Sequence, residues 1–368
     1  MEILIATDSF APKIDGVADT AAVLAEGLSR RGHSVSVLAP GPGASLGTGY
    51  RVERMHSLPF PLYPEVRVGI PDPFRMSRLF RQPPGGAIVL TSGPVGVSTV
   101  AAMAGAVSLV NIYTTDMPGY VSTYLSPALA GAMTSLTRWM SRRSVATLCP
   151  TSHVQRALAA SGHERLEVWG RGVDSHLFNP ARRDERWRSL LTGGETTMPL
   201  ALYVGRLAEE KRLLDLADAV RGSSGVRFAL VGDGPQRKLL EREFTDSPVV
   251  FTGYLRGASL AAAYASADFF IFPSDSDTFG QVVIQAMASG LPVIVTSDSA
   301  PAELAPDGST AIHVPARHPE AVTNAIQMLA GDAQRRRVMA ANALARSRRH
   351  SWEALVTRIE DLIETRGR

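Results

Sequence analysis

The chain has 368 residues, of which 45% are hydrophobic and 20% charged, as is ordinary for a globular protein long enough to form two domains. Its net charge of +3 is small and its basic residues are dispersed, so no nucleic-acid partner is expected. A single cysteine excludes an intrachain disulfide. Because the sequence also shows no basic leader and no apolar window long enough to span a membrane, we expect a cytoplasmic protein.

The first half of the sequence alternates short apolar runs with helical patterns. Apolar runs at residues 3–6 and 35–38 flank an apolar-periodic helix over residues 17–28, which predicts a βαβ unit. Gly16 ends the loop before this helix, where the missing Cβ lets a phosphate or sugar approach the helix N-terminus. Further strands are predicted at residues 87–90, 108–113 and 146–149. We therefore expect an α/β fold with a mostly parallel sheet.

The second half repeats this pattern. Strands are predicted at residues 200–204, 227–231, 249–252, 269–272, 293–295 and 311–314, and the chain is expected to be helical from Pro319 onward. The polar stretch at residues 179–198 is interpreted as the connection between two domains, with a short helix around Trp187. We place the domains at residues 1–175 and 176–349. A C-terminal helix over residues 350–368 is expected to pack back on the first domain.

Residues 277–290, with the sequence DTFGQVVIQAMASG, are the most informative segment. They follow an apolar strand and predict a helix that Gly290 ends. A helix that begins at the end of a parallel strand directs its free N–H groups into the crevice where α/β proteins bind phosphates. Asp277 and Gln285 are separated by about 80° around an ideal helix. We therefore expect both side chains to face one ligand that carries a diphosphate and hydroxyl groups.

Short motifs spread over both halves follow one another in a recognisable order. They are Thr7-Asp8, Asp15-Gly16-Val17, Arg31-Gly32-His33, Ser92-Gly93-Pro94, Thr115-Asp116, Pro150-Thr151-Ser152, Arg171-Gly172-Val173-Asp174, Gly205-Arg206-Leu207, Glu210-Lys211, Gly232-Asp233-Gly234-Pro235 and Thr278-Phe279-Gly280. In order and spacing the sequence resembles the retaining glycosyltransferases of family 4, the branch with diacylglycerol glycosyltransferases and related mannosyltransferases. The resemblance implies the GT-B fold, in which an acceptor-side and a nucleotide-sugar-binding Rossmann-like domain face a central cleft.

The resemblance also implies roles for individual residues. Arg206 and Lys211 would stabilise the departing diphosphate, and Asp277 would bind sugar hydroxyls. Thr114 and Asp116 would line the sugar and acceptor side. The other residues expected to bind the nucleotide sugar are Gly16, Gly205, Leu255 beside the base, the backbone N–H groups of Phe279, Gly280, Gln281 and Val282, and Gln285 at the ribose.

The mechanism implied by the resemblance needs neither a metal nor a bound cofactor. Asp275-Ser276-Asp277 spells the Asp-x-Asp motif that holds a divalent metal in the other glycosyltransferase fold, but here it coincides with the family's glutamate position. We therefore expect no catalytic metal, and the nucleotide sugar as the only co-substrate. No carboxylate is conspicuously placed as a covalent nucleophile, so a front-face route with retention is favoured, in which a departing phosphate oxygen receives the acceptor proton.

Three positions depart from the family pattern. The family has glutamates where this chain has Asp277 and Gln285, and a histidine where it has Thr114. Asp277 keeps the charge on a side chain shorter by one methylene, whereas Gln285 keeps an acceptor oxygen without the charge. One hypothesis is a donor pocket tuned to a modified sugar, and the other is sequence drift with an unchanged donor.

The acceptor remains open at the level of sequence. Arg75, Arg78 and Arg81 recur at a spacing of three, and residues 136–143 place Trp139 among arginines. Such faces suit peripheral contact with the inner face of an anionic membrane, and this interpretation favours a lipid acceptor. Alternatively they are solvated surfaces, and a soluble small-molecule acceptor then fits equally well. A non-catalytic nucleotide-sugar-binding homologue and a nucleotide-sugar epimerase are the alternative functions, and product analysis without acceptor distinguishes them.

Overall fold

A computed structural model describes residues 1–13, 15–45, 47–60, 63–90, 92–222 and 225–366. The chain forms two compact units. Unit 1 comprises Met1–Gly170 and Trp352–Arg368, and unit 2 comprises Arg171–Ser351. Each unit is built around a parallel sheet with helices packed against it, so the predicted α/β fold class is confirmed.

The elements of unit 1 up to Gly170 are, in chain order, β1 (Glu2–Ala6), α1 (Gly16–Arg30), β2 (Ser34–Pro40), β3 (Arg51–Met55), β4 (Ser57–Phe60), β5 (Tyr63–Gly69), α2 (Pro73–Arg81), β6 (Gly86–Val89), α3 (Pro94–Met103), β7 (Ser108–Ile112), α4 (Met117–Tyr124), α5 (Pro127–Arg143), β8 (Ala146–Cys149), α6 (Ser152–Ala160) and β9 (Leu166–Val168).

The elements of unit 2 are α7 (Glu185–Thr192), β10 (Leu200–Val204), α8 (Ala217–Gly222), β11 (Arg227–Val231), α9 (Arg237–Glu243), β12 (Val249–Gly253), α10 (Gly257–Ala265), β13 (Phe269–Phe272), α11 (Gln281–Ala288), β14 (Val293–Thr296), α12 (Ala300–Leu304), β15 (Ala311–Val314), α13 (Pro319–Gly331) and α14 (Ala333–Ser347). Short 3-10 turns lie at Pro180–Arg182, Glu209–Lys211 and Leu213–Leu216. The last helix, α15 (Trp352–Arg366), belongs to unit 1.

The main sheet of unit 1 has seven parallel strands in the order β3-β2-β1-β6-β7-β8-β9, and β4 and β5 form a separate hairpin. Successive side chains of a strand point to opposite faces, so β1 contributes to two cores. Ile3 and Ile5 pack in the core that α1 and α15 cover, whereas Leu4 and Ala6 pack in the core that α3 covers. Burial on both faces explains why the central strands are continuous apolar runs.

Helix α15 completes the first of these cores. Its Ile359 and Ile363 are fully buried in that core. Gly86 in β6 leaves room for Ile363, because a Cβ on Gly86 would overlap that side chain. The indole Nε1 of Trp169 donates a hydrogen bond to the Leu355 carbonyl oxygen at 3.2 Å. Helix α15 is therefore an integral part of unit 1.

The sheet of unit 2 has six parallel strands in the order β12-β11-β10-β13-β14-β15. Its centre is fully buried, and the aromatic side chains of Phe269, Phe270 and Phe272 in β13 are no more than 1% exposed. The order reverses beside β10, which pairs with β11 on one side and β13 on the other. Ligands of open α/β sheets bind at this kind of switch point, outside the carboxyl ends of the strands.

The segment at residues 179–198, predicted to connect two domains, is instead part of unit 2. Helix α7 within it packs against β11 and β12, and Arg188 is buried. The prediction was wrong because a charged, glycine-containing stretch is typical of a linker, whereas here an arginine is buried with its hydrogen-bond partners. Strands β3, β9 and the β4–β5 hairpin were not predicted, whereas every predicted strand is present within a residue or two.

Candidate functional site

Two loops after β10 and β11 pack closely in unit 2. The Leu207 N–H donates to the Asp233 carbonyl oxygen, and the Gln236 N–H donates to the Leu207 carbonyl oxygen, each at 2.9 Å. A Cβ on Gly232, whose φ is +134°, would overlap the carbonyl oxygen of Gly205. Glycine is required at position 232 because the two backbones approach too closely for any side chain. The predicted site residue Gly205 therefore lies in this contact.

The loop after β13 joins the loop after β10. The hydroxyl groups of Ser274 and Ser276 both donate to the Glu210 carbonyl oxygen, at 3.2 and 3.3 Å. These bonds bring Lys211 beside Asp277, with Nζ and Oδ2 2.8 Å apart. Two predicted site residues that are distant in sequence are thus in direct contact.

Asp277 is held by its own loop as well as by Lys211. Its Oδ1 accepts hydrogen bonds from the N–H groups of Phe279, at 3.1 Å, and Gly280, at 2.7 Å. Burial alone would raise the pKa of Asp277, but the Lys211 ammonium and the three hydrogen bonds outweigh it and lower the pKa to about 2. The carboxylate is therefore ionised at neutral pH.

Both predicted phosphate-binding cations lie on the loop after β10. The Lys211 ammonium lies 5.4 Å from the centre of the Phe272 ring, and its side chain is 15% exposed. Arg206 is 31% exposed, with Nη1 3.8 Å from Glu210 Oε1. The Tyr203 hydroxyl donates to the Arg206 carbonyl oxygen at 2.9 Å and so fixes the backbone that carries it. The loop supplies two positive charges near the ends of β10 and β13.

The predicted amides at the start of α11 divide into two pairs. Phe279 and Gly280 donate to Asp277, whereas the N–H groups of Gln281 and Val282 have no acceptor among the residues that the structure describes. The latter two belong to the first turn of α11, where helical N–H groups lack intrahelical partners. They are the donors that remain for an anion.

Helix α11 begins at Gln281, so Asp277 lies in the preceding loop and the expected helical angle between Asp277 and Gln285 does not apply. That prediction was wrong because Gly280, with φ at +88°, starts the helix three residues after Asp277. The Gln285 Oε1 accepts a hydrogen bond from the hydroxyl of buried Tyr264 at 3.2 Å. Its acceptor oxygen, expected at a ribose, is thus engaged within the protein.

The loop after β12 carries the predicted base-side residue. Leu255 is partly buried against the core of unit 2. Its neighbour Tyr254 is 55% exposed, and the tyrosine hydroxyl donates to the Asp233 carbonyl oxygen at 3.3 Å. The loops after β11 and β12 are therefore linked through Tyr254.

Gly16 lies at the N-terminus of α1 in unit 1, as predicted, although it is the first residue of the helix and not the last of the loop, and Asp15 caps the helix. The Asp15 Oδ1 accepts from the Val17 and Ala18 N–H groups, while Oδ2 accepts from the Ser9 hydroxyl at 2.6 Å. Lys13 Nζ lies 2.9 Å from Asp15 Oδ2. Burial would raise the pKa of Asp15, but the Lys13 charge and these hydrogen bonds lower it. Asp15 therefore supplies a negative charge at this helix N-terminus.

Thr114 and Asp116 follow β7 in unit 1. Thr114 is 6% exposed, and its hydroxyl donates to the Leu90 carbonyl oxygen at 2.5 Å. Asp116 caps α4, and its Oδ1 accepts from the Tyr113 hydroxyl at 2.9 Å and the Gly119 N–H at 3.2 Å. Both side chains have structural partners in addition to any part in catalysis.

Asp8 was not predicted as a site residue. Its carboxylate accepts hydrogen bonds from the Val95 and Gly96 N–H groups at the start of α3, at 2.9 and 3.3 Å. A Cβ on Gly93 would lie only 2.5 Å from the Asp8 carboxyl carbon, so the glycine allows the close approach. The sequence contained a signal for this contact. Thr7-Asp8 and Ser92-Gly93-Pro94 each follow a predicted strand, the first with an acid and the second with the glycine and proline that are typical of a helix start.

The two acids of Asp275-Ser276-Asp277 face different cations. Asp275 Oδ2 lies 3.7 Å from Arg317 Nε, whereas Asp277 contacts Lys211. Within the described parts of the chain, three potential metal ligands come together at His33, Glu360 and Glu364 of unit 1. There Arg31 also pairs with Glu360, at 3.1 Å.

The two predicted basic faces differ in their surroundings. On α2, Phe74 is 87% exposed, and the side chain of Arg75 lies outside the described residues. On α5, the Arg143 guanidinium lies 4.6 Å from the Trp139 ring centre, and Arg142 pairs with Glu164 at 3.0 Å. Among the helices described here, none has the length and apolar character needed to cross a bilayer.

Comparison with known proteins defines the class. Residues 14–177 match the Glycosyltransferase Family 4 model, and residues 198–332 match the model for glycosyl transferases group 1. The structure is similar to that of sucrose-phosphate synthase from Thermosynechococcus elongatus, with a TM-score of 0.82, 20% identity and coverage of 99% of this chain and 98% of the other. It is also similar to Anabaena HepE in complex with UDP, with a TM-score of 0.81, 20% identity and coverage of 99% of this chain and 100% of the other.

Two sequence relatives cover most of the chain. A GDP-mannose-dependent alpha-mannosyltransferase of Mycobacterium tuberculosis is 34% identical over 89% of this chain and 88% of its own length. The sulfoquinovosyl transferase SQD2 of Arabidopsis thaliana is 34% identical over 85% of this chain, which spans 63% of that protein. The fold and these matches define a GT-B glycosyltransferase that uses a nucleotide-sugar donor. The chain belongs to glycosyltransferase family 4.

Proposed function

We propose that this protein transfers a hexose from a nucleoside-diphosphate sugar to a hydroxyl group of a lipid or small-molecule acceptor, with retention of anomeric configuration and without a metal ion. Unit 2 would bind the donor. The observation that carries this proposal is the combination of Lys211, Arg206 and the Gln281 and Val282 amides at the switch point of its sheet. These two amides have no acceptor in the part of the chain that the structure describes. Such a group of positive charges and dipoles suits a diphosphate leaving group.

GDP-mannose is the donor that the sequence relatives favour. Three of them, each at least 30% identical over at least 82% of its own length, are named GDP-mannose-dependent alpha-mannosyltransferases. An α-linked product from an α-linked sugar nucleotide corresponds to retention. For this chain we therefore propose an α-mannosyl or closely related hexosyl transfer.

A front-face route is consistent with the state of Asp277. This carboxylate accepts bonds from Lys211 and two amides, which lowers its nucleophilicity and keeps it ionised. A departing phosphate oxygen would then receive the acceptor proton. The charges of Arg206 and Lys211 would replace a divalent cation, so addition of EDTA should leave the rate unchanged.

A lipid acceptor is favoured by the names of relatives and by one exposed side chain. Two relatives, 26% and 24% identical, are alpha-monoglucosyldiacylglycerol synthases. Phe74 on α2 is 87% exposed and is followed by Arg78 one turn later, an arrangement that suits the surface of an anionic membrane. Flotation with vesicles of phosphatidylcholine and phosphatidylglycerol tests this assignment, and a Phe74→Ser, Arg78→Ser variant should lose flotation. Retained flotation of this variant would remove the role given to α2.

The test of the function is a donor panel. Thermal stability is measured with GDP, UDP, dTDP and ADP, because a ligand at a hundred times its dissociation constant adds roughly 2.7 kcal/mol of stability. The nucleotide sugars of the selected base are then incubated with and without lipid extract or small-molecule acceptors. A glycosylated acceptor supports the proposal. An epimerised sugar formed without acceptor would indicate the epimerase, and binding without product the non-catalytic homologue.

A matched pair of lysine variants adds a control. Lys211→Met should abolish transfer and weaken binding of the nucleoside diphosphate, because it removes a charge assigned to phosphate. Lys238→Met removes a lysine from the exposed surface of α9 and should have little effect on either. Equal effects of the two substitutions would contradict the role of Lys211.

A further inference from the structure

We infer, on the basis of the proposed function, that Asp277 is a positioning residue, which holds Lys211 and the loop before α11 in place for the diphosphate. The resemblance to family 4 assigned the sugar contact to this position, where the family has glutamate. The shorter side chain of this chain changes what the carboxylate can reach.

The contacts of Asp277 are all within unit 2. Oδ2 accepts from the Lys211 ammonium at 2.8 Å, and Oδ1 accepts from the Phe279 and Gly280 amides at 3.1 and 2.7 Å. Both oxygens therefore accept charge-assisted or backbone hydrogen bonds from the protein, and the side chain is 24% exposed. Moving this carboxylate to a sugar would break three hydrogen bonds.

The length of the side chain explains the bonds to the loop. An aspartate reaches the backbone N–H groups two and three residues ahead, which is the geometry of an Asx turn. A glutamate is longer by one methylene and does not favour this turn. The turn brings the loop to Gly280, where a Cβ would lie 2.9 Å from Pro301 Cβ and Cγ. The close packing on Pro301 fixes the loop, and the loop in turn fixes Asp277.

The same carboxylate restricts Lys211. A lysine side chain has four rotatable bonds, so an unrestrained ammonium loses entropy when it binds phosphate. The contact with Asp277 and the Phe272 ring at 5.4 Å define the position of the ammonium before the ligand binds. An ammonium group has three N–H donors, so a bond to Asp277 is compatible with a bond to a phosphate oxygen. Asp277 therefore holds the Lys211 ammonium, before the ligand arrives, in the position that binds the diphosphate.

The experiment compares a ligand that lacks the sugar with one that carries it. Affinities for GDP and GDP-mannose are measured by calorimetry for the wild type and for Asp277→Asn, which keeps the shape but loses the charge. A positioning role predicts that the affinities for both ligands fall by a similar factor of about ten. Asp277→Glu restores the charge beside Lys211 without the Asx turn, so the affinity for GDP should recover only in part, to within about threefold of the wild type. In a Lys211→Met background, Asp277→Asn should have no further effect.

Two results would overturn the inference. If Asp277→Asn weakens GDP-mannose and leaves GDP unchanged, the carboxylate binds the sugar. If the variant binds GDP more tightly than the wild type, the carboxylate competes with the diphosphate and does not prepare its site.

A ligand-free measurement separates this inference from the proposed function. The chain has three lysines, Lys13, Lys211 and Lys238, so acylation of each by an amine-reactive ester can be followed by peptide mass spectrometry. In Asp277→Asn, labelling of Lys211 relative to exposed Lys238 should rise severalfold, because the ammonium is released. An unchanged ratio would reject the positioning role. Failure of wild-type protein to bind any nucleoside diphosphate would instead reject the proposed function, whatever the labelling shows.

Discussion

Arg188 Nη1 lies 2.7 Å from Asp268 Oδ2 in the interior of unit 2, and the arginine side chain is only 4% exposed. The guanidinium also donates to the carbonyl oxygens of Thr196, Met198 and Ser266. It thus joins α7 to the segments that enter β10 and β13. We expect Arg188→Met to lower the free energy of unfolding by about 3–5 kcal/mol, because it leaves these acceptors buried without their donor.

Urea denaturation measures this loss, and Arg183→Met is the matched control. Arg183 pairs with Glu185 at 3.3 Å, but the two side chains are 46% and 74% exposed. The control should change stability by no more than about 0.5 kcal/mol. Similar losses for the two variants would show that burial of Arg188 does not determine its contribution.

The ion pair of Lys211 and Asp277 predicts a dependence of stability on pH. Burial alone would raise the pKa of Asp277, but Lys211 and the hydrogen bonds lower it from 3.8 to about 2. This lowering corresponds to roughly 2 kcal/mol of folding stability at neutral pH. A depressed folded-state pKa stabilises the protein above the unfolded-state pKa, and this stabilisation is lost as the pH falls toward 2. The stability difference between wild type and Asp277→Asn should be constant above about pH 5 and fall by about half at pH 3.

Denaturant titrations of both proteins at several pH values provide the measurement. The difference between them removes the contributions of the other acids. A difference that stays constant down to pH 3 would show that the pKa of Asp277 is not depressed in the folded protein.

The contact between Gly232 and Gly205 predicts a strong effect of a small substitution. Gly232→Ala adds a methyl group that would overlap the Gly205 carbonyl oxygen, at a φ of +134° that alanine rarely adopts. We expect a loss of about 2–3 kcal/mol in stability and weaker binding of the nucleoside diphosphate, because the loop that carries Arg206 and Lys211 must move.

Gly131→Ala is the control for this prediction. Gly131 lies within α5, and a Cβ there would have no neighbour within 4 Å. Alanine favours helix, so this variant should gain about 0.5–1 kcal/mol. Thermal unfolding with and without GDP compares both variants. Normal GDP binding by Gly232→Ala would show that the packing of these loops does not matter to the site.

Thr114 provides a test of donor preference. The resemblance to family 4 implies a histidine at this position, whereas the Thr114 hydroxyl donates to the Leu90 carbonyl oxygen. If the donor pocket is retuned, Thr114→His should change the ratio of kcat/KM between two nucleotide sugars by about tenfold, as expected for one polar contact. Thr114→Ser keeps the hydroxyl and should leave the ratio unchanged. Unaltered ratios for Thr114→His across the donor panel would favour sequence drift.

The strands were predictable because parallel strands buried on both faces are continuous apolar runs. Residues 269–272, FFIF, are a clear case, and β13 has those bounds. The edge strand β3, with the sequence RVERM, was missed because both of its faces carry charged side chains and the strand is partly exposed to solvent. Val52 and Met55, its two apolar residues, are three positions apart and do not alternate with polar residues, so no strand period identifies it.

The candidate site was predictable in its residue types but not in its contacts. The motifs indicated Lys211 and Asp277 as parts of one site, yet their ion pair joins positions 66 residues apart in the sequence. The bonds from Asp277 to the Phe279 and Gly280 amides depend on the backbone of the loop, which follows from packing on Pro301. Sequence periodicity gives no information on the distance between Lys211 and Asp277 or on the distances from Asp277 to the two amides.

Ile363 tests the contribution of α15 to unit 1. This side chain is fully buried and packs over Gly86. We expect Ile363→Ala to cost about 2–5 kcal/mol through lost burial and the resulting cavity. Val338→Ala on α14, where the side chain is 53% exposed, should cost less than about 1 kcal/mol. Chemical denaturation compares the two, and equal effects would show that α15 adds little to the core.

The return of α15 to unit 1 has a consequence for biosynthesis. Unit 2 is continuous in sequence, whereas unit 1 also needs residues 352–366, which are translated after the whole of unit 2. During translation, the core between α1 and the sheet therefore remains incomplete until residues 352–366 have left the exit tunnel, although residues 1–170 emerged long before. Unit 2 can finish folding first, the reverse of the usual N-to-C order. Limited proteolysis of a released chain that ends at Ser351 should cleave unit 1 faster than unit 2, and equal protection of both would show that unit 1 folds without α15.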